Sequence, residues 1–321
     1  MTQRYFVGTR QAFWNRVEEF INGGNKTIRS RSVWFPRAFR ELTQDLNTAR
    51  AHGFDPVIIE RLNRLVLEGS QLLYGQRSFS PRALVDFLVY RFPGAVRSHW
   101  KGIAAVHLLF YAVGLAALLL CVNEAEFTYD ILGETQASAL EEMYSPGSSH
   151  FLKPRDVSSD ADMFGYYINN NISIAFRTFA GGIVAGAGSL FFLMYNAVFL
   201  GAATAHIINK QLRETFFSFV IGHSSFELTA VVLSAFAGLY LGYRLFVTQG
   251  LTRAASLRRA GKTAVPIIGG SALLLVAAAA IEAFWSSRHT IPVQVKYGAG
   301  AANWILLFAY FIFSGRKRTR G

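Results

Sequence analysis

Five stretches of this chain are too long and too poor in charge to be ordinary parts of a water-soluble domain. Residues 102–123, 263–281 and 297–315 contain no Asp, Glu, Lys or Arg over 22, 19 and 19 residues. Residues 178–209 run for 32 residues without a formal charge, and residues 215–243 for 29 with Glu227 as the one exception. A helix of 22 residues is about 33 Å long, enough for a hydrocarbon core of about 30 Å. Helices buried in a soluble core alternate with polar faces; these runs do not. The sequence therefore predicts an all-α polytopic membrane protein with about six transmembrane or re-entrant helices. With 52% hydrophobic and 16% charged residues, the composition excludes a disordered chain and a nucleic-acid-binding tail. The single cysteine, Cys121, excludes an internal disulfide framework and a cysteine-built metal cluster.

The first 101 residues are of another kind. They hold 16 Lys plus Arg against 8 Asp plus Glu and contain no run long enough to span. No apolar stretch follows the start, so no cleaved leader is expected. Phe6, Phe13, Val17, Phe20 and Ile21 fall on one helical stripe, and Phe35, Phe39, Leu42, Leu46 and Ala49 on a second. Asp55-Pro56 and Ser80-Pro81 each combine an N-cap residue with Pro at the first helical position. Residues 1–101 are predicted to form an amphipathic helical bundle that leads into a first span at 102–123.

Charge then orients the chain, because loops on the cytoplasmic side carry the excess of Lys and Arg. The basic first 101 residues, the 249–262 segment with Arg253, Arg258, Arg259 and Lys262, and the basic tail 316–321 are expected inside. Residues 124–170 hold 9 acids and 2 bases, so the 124–168 insertion is expected outside, with Phe127, Tyr129, Tyr144, Phe151, Phe164, Tyr166 and Tyr167 to build a small cap. Both ends on one side need an even number of crossings. The core, 169–315, reaches that number if residues 168–209 cross twice with a turn near Gly186-Ala187-Gly188-Ser189; a single span plus a re-entrant helix would give five crossings.

Ionisable residues inside spans are costly and seek partners. Arg177, His223, Glu227 and Glu282 form such a set, with His206 near the end of a run. His223 and Glu227 are four apart on one helix face. An ion pair between Arg177 and Glu227 or Glu282 is expected, with His223 nearby, at the outer ends of the helices. The functional reading is an outer-leaflet polar site for a lipid headgroup, a metal or a proton; the competing reading is a helix-packing network. His223 and Glu227 alone do not make a metal site, and there is no HExxH, GxSxG, Walker or GxGxxG signature. No catalytic apparatus, cofactor or metal is expected. Gly238 and Gly242 have GxxxG spacing, which serves close helix packing, within the bundle or across a dimer.

Several blocks occur in order: Asn170-Asn171, Phe179-Ala-Gly-Gly-Ile183, Leu193-Met-Tyr-Asn-Ala-Val-Phe-Leu-Gly201, Gly222-His-Ser-Ser-Phe-Glu-Leu-Thr-Ala230, Ala237-Gly-Leu-Tyr-Leu-Gly242, Ala260-Gly-Lys262 and Ala280-Ile-Glu-Ala-Phe284. Over roughly residues 90–315 the chain resembles the stage II sporulation protein M family of integral membrane proteins. The resemblance marks Asn170, Asn171, Gly182, Asn196, Gly201, His223, Glu227 and Glu282 as signature positions. The family more often has Pro where this chain has Gly222. In spore formers the family member acts with peptidoglycan-degrading partners, as an anchor rather than as a catalyst. Relatives with a longer helical N-terminus are often encoded near a MoxR-type ATPase, a von Willebrand-like protein and an RDD membrane protein. The resemblance thus implies a non-enzymatic scaffold in the bacterial cytoplasmic membrane, contacting the lipid bilayer and envelope or cytoplasmic proteins, homo-oligomeric with a dimer favoured, and without nucleic acid. The alternative is a transporter or lipid-handling protein that uses the Arg177, His223, Glu227 and Glu282 cluster.

Overall fold

The computed structural model describes residues 2–23, 34–74, 80–146, 157–288 and 290–316. Among these there is no strand. The chain divides into two compact units, residues 1–81 and 82–321.

The first unit packs α1 (Gln3–Asn22), α2 (Phe35–Ala51) and α3 (Pro56–Tyr74) around Trp14, Val17, Phe35, Leu42, Leu46, Leu62 and Leu65. Each helix contributes an apolar stripe at three- and four-residue spacing, the pattern that buries one face. Asp55 caps α3, its Oδ1 accepting from the Val57 amide at 2.8 Å. Asp45 is the polar exception in the core, accepting from Trp14 Nε1 and Arg10 Nε, both at 2.8 Å.

The unit boundary lies at Pro81 rather than at residue 101. α4 (Pro81–Asp86), a π-helical turn (Phe87–Arg91) and α5 (Phe92–Ser98) belong to the second unit. Their amphipathic pattern is spent on membrane helices instead of on the bundle. Phe92 packs with Ala264 and Ile267, and Arg97 donates to the Phe311 carbonyl at 2.8 Å. Tyr310 Oη donates to the Leu88 carbonyl at 2.6 Å and Ser314 Oγ to that of Val89 at 3.0 Å.

The rest of the second unit is a helical bundle. α6 (Trp100–Asn123) is followed by two short helices, α7 (Ala125–Leu132) and α8 (Glu134–Tyr144). α9 (Val157–Ala180) ends in a 3₁₀ turn (Gly181–Ile183), and α10 (Ala187–Asn209), α11 (Arg213–Val220) and α12 (Ser224–Phe246) follow. α13 (Arg253–Ile281) runs into a second π-helical turn (Glu282–Ser286), and α14 (Val293–Phe313) closes the unit. Thus residues 124–168 are not one insertion: α7 and α8 form its first part, residues 147–156 with Phe151 lie outside the described residues, and the remainder starts α9.

Five helices are long and apolar enough to cross a membrane: Trp100–Asn123, Ala187–Asn209, Ser224–Phe246, Arg253–Ser286 and Val293–Phe313. α9 is the sixth member of the bundle, kept out of that set by its three asparagines and Arg177. Its register is antiparallel to α13: Asp160 meets Arg288, Phe164 meets Phe284, and Ala175 packs with Leu275. The chain reverses at residues 181–186, where Gly186 adopts a φ of +85°, close to the expected turn. α10 then runs parallel to α6, with Gly114 against Gly201 and the Cys121 carbonyl accepting from Asn209 Nδ2 at 3.1 Å. Consecutive long helices therefore alternate in direction. α12 is the central and most buried of the membrane helices. One end of the bundle carries α7, α8 and α11 and is called the cap end here; the other carries Lys101, Arg244 and Lys262 and is the basic end.

Candidate functional site

The polar cluster at the cap end is built by three elements. α12 begins at a turn in which His223 occupies the N-cap and Glu227 the first helical turn. The Glu282–Ser286 π turn re-aims the end of α13, and such turns are frequent at functional sites. Gly222 makes the junction possible: a Cβ there would lie 2.7 Å from the Trp285 ring. Gly222 is thus the residue that lets Trp285 close over the turn.

His223 is buried. Its Nδ1 lies 3.2 Å from Ser286 Oγ, its Nε2 lies 3.8 Å from Glu227 Oε2, and Phe219 meets its ring edge-on. Lys296 of α14, also buried, donates from Nζ to the Ser286 carbonyl at 2.8 Å. Asn303 Nδ2 donates to the Gly222 carbonyl at 2.8 Å. These bonds knit α12, the π turn and α14 together. Glu282 is 8% exposed, and its Oε2 has no hydrogen-bond partner. Ser225 of α12 likewise buries Oγ without a partner, as Asn171 does its Nδ2 deeper in the bundle, on α9. Leaving a buried polar group unsatisfied costs about 1–3 kcal/mol, so the cluster is not the cheapest way to pack a bundle end. Tyr144 closes it from α8. Its ring meets Phe219, which in turn meets His223; burial first, then the charges of Glu282, Tyr167 and Glu227, push the Tyr144 hydroxyl pKa upward.

Arg177 does not belong to the cluster. Its side chain is exposed, and among the described residues it forms no ion pair. Two geometric facts separate it from the acids. α9 begins at residue 157, so Glu282 lies near the level of residues 164–168, roughly three turns before Arg177. The helical rotation that buries Asn171, Ala175 and Thr178 also turns Arg177 outward. Asn170 and Asn171 belong to the middle of α9 rather than to its outer end; Asn170 Nδ2 donates to Asn171 Oδ1 at 3.1 Å.

The remaining signature residues have structural places. A Cβ at Gly182 would sit 2.3 Å from the Gly238 carbonyl oxygen, one at Gly242 2.2 Å from the Gly186 nitrogen, and one at Gly201 2.3 Å from the Gly114 oxygen. Gly238 and Gly242 are thus consumed inside the bundle, against the α9–α10 turn. Asn196 Nδ2 returns to the Phe192 carbonyl of its own helix at 2.7 Å.

A second polar group joins the cap to the bundle. Glu141 Oε1 lies 2.9 Å from both His206 Nε2 and Lys210 Nζ, and Tyr129 meets the His206 ring edge-on. The Lys210 hydrogen bond, with that of His206, holds the Glu141 carboxyl below its ordinary range. Of this group only His206 stood out as a polar-site residue in the sequence, because its carboxylate partner Glu141 is 65 residues away and no local spacing announces it. Among the described residues no group of three His, Cys, Asp or Glu side chains is placed to hold a metal.

The family model described as stage II sporulation protein M matches residues 107–287. A second model, a domain of unknown function (DUF8413), matches residues 4–75. No curated protein and no solved structure matches the chain.

Proposed function

The chain belongs to the stage II sporulation protein M family, and on that footing we propose that it is a membrane-embedded scaffold without chemistry of its own. It sits in the bacterial cytoplasmic membrane as a multi-pass protein. The basic end, with Lys101, Lys262 and the Arg316 side, faces the cytoplasm, and the acidic cap of α7 and α8 faces outward. The cap and its neighbouring cluster receive envelope proteins, and the first unit receives cytoplasmic ones.

The observation that carries this reading is how the bundle is filled below the cluster. Ser189 Oγ donates to the Thr178 carbonyl, and Thr178, Ser234 and Ser271 donate to carbonyls one turn back in their own helices. Glycine contacts bring helix backbones together at residues 182, 238 and 242. These four interior hydroxyls are spoken for by backbone, which suits a rigid body more than a moving gate. The competing reading, a transporter or lipid-handling protein, draws on the buried Glu282 Oε2, Asn171 Nδ2 and Ser225 Oγ atoms, which have no hydrogen-bond partner.

Reconstitution separates the two. A scaffold leaves liposomes tight to protons, ions and lipid exchange, and envelope proteins co-purify with the wild type. Flux in the wild type that disappears in Glu227→Gln at equal expression overturns the scaffold.

A further inference from the structure

We propose that the outward face of α9 is the surface through which two copies of this chain pair inside the membrane. α9 turns Asn171, Ala175 and Thr178 into the bundle. Its opposite side exposes Gly165, Tyr166, Asn169, Asn170 and Arg177, with Ser173 between them. Residues 165, 169, 173 and 177 follow one another at four-residue spacing and share that side.

Depth makes this face unusual. The Asp160–Arg288 contact marks the cap end of α9, and the Thr178–Ser189 contact marks the basic end. Asn169 is nine residues from each, about 14 Å of helix, so its carboxamide stands near mid-bilayer. Among the described residues it has no hydrogen-bond partner. Hydrocarbon offers none either, and polar side chains at this depth face protein rather than lipid. The outward face of α9 is therefore a covered face.

The covering body is a second copy. A two-fold axis along the membrane normal keeps every residue at its own depth, so Asn169 meets Asn169 of the other copy. A carboxamide both donates and accepts, and two of them satisfy each other without any third group. Nothing lies within 4 Å of a Cβ built on Gly165; this open glycine and Ser173, one turn to either side of Asn169, let two helices approach closely. Glu227 and Glu282 are the acids in the spans, and both lie toward the cap end, so no copy offers Arg177 a carboxylate at its depth. None is needed. Arg177 is close to the basic boundary marked by Lys101 and Lys262, where water and lipid phosphates screen two like charges. This inference does not depend on the scaffold reading.

Disulfide trapping of the full chain in native membranes tests it. The single natural cysteine, Cys121, is buried and is replaced by Ser. Single cysteines are then introduced as Gly165→Cys, Asn169→Cys and Ser173→Cys, with Ile305→Cys, exposed on α14, as the comparison. Oxidation should give a species of twice the monomer mass from the first three and not from Ile305→Cys. In a bilayer association assay, Asn169→Leu should lower the dimer association constant by roughly 3- to 30-fold. Absence of trapping at all three positions, equal trapping at Ile305→Cys, or trapping of Asn169→Cys to a different protein overturns the proposal.

Discussion

Glu141 and His206 meet across 65 residues of sequence, Oε1 to Nε2 at 2.9 Å, with His206 buried and Glu141 at the surface of the cap. The contact fastens α8 to α10. Glu141→Ala leaves a buried imidazole nitrogen without its partner, a loss of about 1–3 kcal/mol. Thermal unfolding in detergent should register it, and hydrogen exchange should show α8 opening before the membrane helices do.

The same carboxylate gives the cap a pH dependence with a defined sign. Lys210 and His206 hold the Glu141 pKa below its unfolded value. A group depressed in the folded state stabilises above the unfolded pKa, and the contribution is lost as pH falls through the folded one. Docking of α8 should therefore be constant at neutral pH and weaken as the solution is taken below the ordinary carboxylate range. Glu141→Gln should flatten this response when exchange in α8 is followed against pH.

Glycine substitutions should divide by site. Gly238→Ala puts a methyl 2.2 Å from Ser189 Oγ and 2.5 Å from the Phe179 carbonyl oxygen. The backbone oxygen cannot step aside cheaply, so the change should cost about 1–3 kcal/mol or more and lower the yield of folded protein in size-exclusion chromatography. Gly261→Ala, with open space around its Cβ in the same unit, should be neutral or stabilise α13 by up to about 1 kcal/mol.

In the first unit the sensitive residue is Asp45. Asp45→Ala removes the acceptor of both Trp14 Nε1 and Arg10 Nε, leaving a buried indole N–H unpaired at a cost of about 1–3 kcal/mol. Exchange in α1 of the full chain should accelerate while exchange in α12 stays unchanged.

The parts of this architecture set by long charge-free runs were legible in the sequence, as was the reversal near Gly186. Facing was not. Arg177 looked like the partner of Glu227 because both interrupt apolar segments, but its direction is fixed by where α9 begins, and residues 157–168 read as part of an acidic insertion. The unit boundary was missed for a related reason. Phe87, Leu88 and Phe92 form the same stripe whether it is buried in a soluble bundle or against α13 and α14. Glu141 and Tyr144 were invisible as site residues, since long-range partners leave no periodic trace. His223 with Glu227 was found because i and i+4 share a face.

Glu282 allows the roles of stability and function to be separated. Its Oε2 is buried without a partner, on a turn that departs from α-helical geometry. A carboxylate kept in such a place contributes little to folding, and replacing an uncompensated buried polar group by an apolar one of similar shape is often neutral or stabilising. Glu282→Met should therefore unfold at the same temperature as the wild type or above it. If the cap end receives partners through this cluster, the same variant should lose the envelope proteins that co-purify with the wild type. A Glu282→Met protein that is markedly less stable would mean that the carboxylate serves the packing of the bundle end and not what docks on it.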